Sequence, residues 1–148
     1  MNSRFIVLAF LALGVSPVDA QNPVAAASAE RDSMAVYCMQ VHRLSLAQLK
    51  LVYARIPGSA ESPAGRDQLA KHATRVANAE KYVLARIGQM ERSHIDEVMG
   101  KATADFRSAA NDTNACIQSC RDDGCRAQCI AKPSPATRRV DSCMHRVW

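Results

Sequence analysis

The chain has 148 residues, a formal net charge of +5 and a pI near 9.1, and 48% of its residues are apolar but only 5% aromatic. So little aromatic material excludes a core built on large rings, and the basic balance favours anionic over cationic partners. No run after the first residues approaches the roughly 20 apolar positions of a membrane-spanning helix.

Met1 to Ala20 carries Arg4, the apolar run Phe5 to Leu13, Pro17 and the small-residue site Val18-Asp19-Ala20, the build of a secretory signal peptide cleaved after Ala20. The chain is therefore expected to be exported, to the periplasm or the extracellular space. An excess of arginine over lysine together with abundant alanine suggests a GC-rich genome and favours the periplasm. In an oxidising space six cysteines are expected to pair.

Gln21 to Ala29 is a small-residue segment with Pro23 and no apolar period, predicted to be a mobile leader, and residues 30–148 are predicted to form a single helical domain. A first helix is predicted from Glu30, with Met34, Cys38, Val41, Leu49, Val52 and Ile56 as its apolar stripe and Ser45-Gln48 as a capping box that divides it. Pro57 to Gly65 is the clearest loop. A second helix follows on Leu69, Ala73, Val76, Val83, Ile87 and Met90, with Asp67 and Lys71 spaced for an ion pair. A break near Arg92 separates it from a third helix on Ile95, Met99, Ala102, Phe106, Ala109, Cys116 and Cys120. Cys125 to Ala131 is a short return helix ended by Pro133, and Ser134-Pro135 opens a last helix bearing Val140, Cys143, Met144 and Val147 on one side. No strand pattern appears, so the fold class is all-α: a small disulfide-stapled bundle of four to five helices.

Cys116-x3-Cys120-x4-Cys125-x3-Cys129 is the most specific pattern in the chain. Cysteines four apart share one helix face, and Arg121-Asp122-Asp123-Gly124 between the pairs favours a reversal, giving two antiparallel helices stapled face to face. Nested bridges, Cys116 with Cys129 and Cys120 with Cys125, keep partners level, whereas crossed bridges would offset them by about 6 Å along the axes. By elimination Cys38 joins Cys143. The hairpin resembles the α-hairpinin arrangement of small secreted peptides, a resemblance confined to Cys116 to Cys129 that implies the same first-to-fourth, second-to-third pairing. Four cysteine thiolates also suit zinc, but the export signal favours disulfides.

Met34, Cys38 and His42 share one face of the first helix, and Cys143-Met144-His145 lies near the C-terminus. These ligand types suit copper, although bridging Cys38 to Cys143 removes both thiolates. No metal and no cofactor is the main expectation, with Met34, Cys38, His42, Met144 and His145 as the alternative copper set. His42, His72 and His145 otherwise read as ordinary surface or partly exposed side chains. His94-Ile95-Asp96-Glu97 places a histidine beside two carboxylates, which at a helix start more simply offset the dipole. No nucleophile–base pair, metal-protease motif or phosphate-cradling glycine loop is evident, so no catalytic residue is assigned and the protein is expected not to be an enzyme.

Between Ser33 and Ala60 stand Arg43, Lys50 and Arg55 and no acidic residue. They form the candidate surface for an anionic envelope component or an acidic protein. Nucleic acid is not expected, because no aromatics interleave with the arginines. The expected function is a binding or structural role outside the cytoplasm through this basic surface. A copper-binding helical protein is the second reading, and an inhibitor or toxin-like effector displaying the stapled hairpin is the third.

Overall fold

The computed structural model describes residues 23–146 and Trp148; the predicted signal peptide and Val147 lie outside the described residues. Among the described residues there are five α-helices and no strand: α1 (Pro23–Ala54), α2 (Pro63–Arg86), α3 (Arg92–Ser119), α4 (Asp123–Ala131) and α5 (Pro135–Met144), with a 3-10 turn at Ile87–Gln89. None of these helices is long and apolar enough to cross a membrane.

α1 is the central element and packs against α2, α3 and α5. Its middle is accordingly buried on almost every side, from Ala35 through Met39 and again at Val41 and His42. One cluster joins Tyr37, Cys38 and Val41 to Ala102 and Ala109 of α3 and to Ala136, Val140 and Cys143 of α5. A second joins Ala35, Val36 and Met39 to Ala79 and Val83 of α2. Alanine at the contact points lets the helices approach closely but removes little area from water, so each contact is worth little at about 25 cal/mol per Å2.

A buried polar clamp compensates. Asp105 of α3 accepts from Tyr37 Oη of α1 at 3.0 Å and from Arg139 of α5 through Nε at 2.7 Å and Nη2 at 2.6 Å. The two-pronged guanidinium contact is the strong form of this interaction. Arg139, followed in weight by the Tyr37 hydroxyl, holds the Asp105 carboxyl below the usual carboxylate range against the opposing effect of burial. Burial and then Asp105 push the Tyr37 phenol up to about 12. Next to this clamp Cys38 is bridged to Cys143, with Cα atoms 5.2 Å apart. Cys116–Cys129 and Cys120–Cys125 staple α3 to α4 in the nested order, and no described cysteine is free.

Several boundaries differ from the sequence reading. α1 begins at Pro23, so the segment expected to be a mobile leader supplies its first two turns. Proline suits a first helical position and the alanines after it favour helix. Arg86 Nη2 of α2 also donates to Ser28 Oγ at 2.7 Å, which ties those turns to the bundle. Ser45 does not divide α1, which runs unbroken to Ala54. The end of the predicted stripe is exposed at Val52 and Ile56, because no element covers the last turn of α1. In α2 Ala73 is exposed, and its contact with α1 centres instead on Ala79 and Val83. The break before α3, the Ser134 cap of α5 and the Asp67–Lys71 ion pair at 2.6 Å all lie where the sequence places them. In the loop before α2 Gly58 adopts φ +73°, and in the first turn of α2 a Cβ at Gly65 would collide with the Ser59 carbonyl oxygen.

Candidate functional site

The Cys38–Cys143 bridge draws the end of α5 against α1 one turn before His42. His145, Arg146 and Trp148 follow α5, and α2 brings up Arg75 and Asn78. The result is a cavity of about 240 Å3 lined by His42, Arg75, Asn78, Met144, His145, Arg146 and Trp148. No Asp or Glu side chain lines it. Trp148 is fixed by its ring contact with Tyr82 of α2, centroids 5.3 Å apart.

His42 is only 1% exposed, and neither Nδ1 nor Nε2 has a hydrogen-bond partner. The indole Nε1 of Trp148 is likewise buried without an acceptor. A neutral imidazole carries one donor and one acceptor, and each buried polar group left unmade costs about 1–3 kcal/mol. Both residues line the same cavity. Burial, then Arg75, then His72 lower the His42 pKa, and no acid opposes them. His72, half-buried with Nδ1 also unpartnered, is lowered by burial and then by Arg75. The cavity is therefore electropositive from its arginines, while burial favours the neutral form of His42.

The sequence-predicted residues divide around this site. Of the alternative copper set, His42, Met144 and His145 share the cavity, whereas Met34 lines a separate hollow beside Tyr37 and Arg139, and the Cys38 sulfur is committed to its disulfide. His42 is fully buried rather than partly exposed, because α2 and the residues after α5 close over it. Of the predicted basic surface, Arg43 donates to Glu80 Oε1 at 2.8 Å and its charge is neutralised, while Lys50 and Arg55 are exposed toward the end of α1. The sulfurs of Cys120, Cys125 and Cys129 lie within 4.8 Å of one another, but each is oxidised in a disulfide and offers no thiolate. His94 is exposed on α3, with Nε2 at 2.7 Å from Ser33 Oγ. That serine donates its proton to the Ala29 carbonyl at 2.9 Å, so His94 is not placed to withdraw it as a base.

Sequence reasoning missed Arg75, Asn78 and Trp148. The only local signal was a histidine four residues after a cysteine, inside an otherwise apolar stretch of α1. No protein family, curated protein or solved structure matches this chain.

Proposed function

We propose that this chain is an exported, non-enzymatic helical protein that binds an anionic component of the cell envelope through the basic face where α1, α2 and the end of α5 meet. The observation that carries this reading is the cluster of Arg75, Arg146, His145 and the buried His42 around a cavity with no Asp or Glu side chain in its lining. Three disulfides and the Asp105 clamp support a role for the bundle as a fixed scaffold, and disulfides are compatible with export. Lys50 and Arg55 extend the positive field along α1, and Arg43 contributes less because it is paired with Glu80.

Copper is the second reading, favoured by the meeting of His42, Met144 and His145. Arg75 Nη1 lies 3.9 Å from Met144 Sδ, so a copper ion on that sulfur would face the guanidinium. At about 4–5 Å and an effective dielectric near 20, that repulsion is about 3–4 kcal/mol. The same positive charge favours an anion, which is why the anionic reading is preferred.

Co-sedimentation with phosphatidylcholine vesicles, with and without phosphatidylglycerol, tests the proposal. Binding is expected only to the anionic vesicles, weakening as salt shortens the screening length to about 10 Å near 0.1 M. Arg75→Glu together with Arg146→Glu is expected to abolish it. No affinity for anionic surfaces at low salt, with stoichiometric copper in protein isolated from its own compartment, would replace this reading with the second.

A further inference from the structure

The basic face has an interior as well as a surface. Field alone would explain attraction to a polyanion, but it does not explain a fully buried imidazole whose two nitrogens meet no partner, beside an indole N–H in the same condition. Those groups come from three places in the chain: His42 from α1, Arg75 and Asn78 from α2, and Trp148 from the segment after α5. Donors arriving from separate directions match a tetrahedral anion, which offers acceptor oxygens on every side. A carboxylate offers two oxygens in one plane and would leave part of the set unmet.

We propose that the cavity around His42 is a binding site for a single phosphate group, with His42, Arg75 and Trp148 as its principal donors. This deepens the proposed function and rests on its basic face, for it names the chemical group of the partner that enters. Arg75 supplies fixed charge and a planar fork of N–H donors. Trp148 Nε1 supplies a neutral donor that carries no competing acceptor. His42 enters as a neutral imidazole donating one N–H, and it takes up a proton when the anion offsets Arg75. At about 240 Å3 the cavity has room for the phosphate and the first atoms of the group it esterifies. The charged or titratable groups around His42 are His72, Arg75 and the Arg43–Glu80 pair on α1 and α2, and His145 and Arg146 after α5. The one acidic side chain among them, Glu80, is paired with Arg43.

The experiment is an NMR titration of the oxidised chain with inorganic phosphate at constant ionic strength, following the His42 ring and Trp148 indole signals, with chloride as the control anion. Expected are saturable one-to-one shifts of both signals, a rise of the His42 pKa in the complex, and affinity that increases from about pH 8 to about pH 6 as the imidazole takes up its proton. Arg75→Gln, at an exposed position that tolerates the change, is expected to weaken binding at least tenfold. Trp148→Phe keeps the ring contact with Tyr82 and is expected to weaken it several-fold. Equal shifts with chloride, or unaltered affinity in both variants, would overturn the site. If anionic vesicles bind while phosphate leaves His42 unmoved, this inference is wrong and the proposed function stands; if neither binds, both fail. Where phosphate does bind, its displacement of vesicles containing phosphatidic acid identifies a lipid headgroup as the source. Simultaneous binding of both identifies a free phosphate.

Discussion

The two ends of α3 are stabilised by opposite means. Where α3 packs on α1 and α5, buried alanines, the Asp105 clamp and one long-range disulfide act together. Where it meets α4, no residue of the nine-residue return helix is buried, and two short-range disulfides hold the pair. The first region is a cooperative core that also positions a cavity, and the second is a covalent staple. Cysteine pairs of the same chemistry therefore have different consequences, depending on what is packed around them.

Removing the core bridge is expected to have the largest effect. Cys38→Ala with Cys143→Ala opens a loop with a sequence separation of 105. In the chain-entropy account that is worth about 4–5 kcal/mol, so the melting temperature by circular dichroism should fall by well over ten degrees. The hairpin bridges should survive in the same variant by non-reducing peptide mapping.

Asp105→Ala comes next. It strips the partner from Arg139 and from the Tyr37 hydroxyl. Breaking a fully buried pair costs about 3–5 kcal/mol, and because the Arg139 side chain is 47% exposed the expected loss is nearer about 2 kcal/mol in denaturant unfolding. A smaller loss is expected from Asp105→Asn, which keeps the shape and two acceptor lone pairs.

By contrast, Cys116→Ala with Cys129→Ala removes a bridge of separation 13, nominally worth about 3 kcal/mol. Since α4 has no fully buried residue, the change should appear as fast amide exchange confined to α4 and the end of α3, with a small shift in global melting. A fall comparable to that of the core variant would show that the hairpin folds cooperatively with the bundle.

The smallest effect is a pH dependence with a defined sign. The His42 and His72 pKa values are depressed in the folded chain. The unfolded chain therefore takes up protons first, and stability is full above the ordinary histidine value near 6.5 and declines as pH falls below it. Asp105, also depressed, adds a second loss only once pH falls below the usual carboxylate range. Thermal unfolding at a series of pH values should show both steps, and His42→Phe should diminish the first.

Local chemistry made much of this legible. Ser134-Pro135, the loop around Gly58 and Gly65 and the paired cysteines each carry their own backbone or covalent constraint, and the structure has caps, turns and bridges there. Features set by distant partners were not legible. Helix α1 extends back to Pro23, where Ser28 meets Arg86, and Arg43 loses its free charge to Glu80 of α2, across 37 positions. His42 is buried because Arg75, Asn78 and Trp148 converge on it from positions that no periodicity connects. Burial that depends on which helix becomes central leaves no local trace in sequence.

The most direct test of the central claim, that the core region and not the stapled hairpin builds the binding face, is to compare two double variants for binding to phosphatidylglycerol vesicles below their melting temperatures. Cys38→Ala with Cys143→Ala releases the end of α5 from α1 and should lose most of the affinity, because Arg146 and Trp148 no longer close over His42. Cys116→Ala with Cys129→Ala should bind as the parent chain does. Loss of binding in the hairpin variant, with affinity retained when the core bridge is absent, would contradict the account.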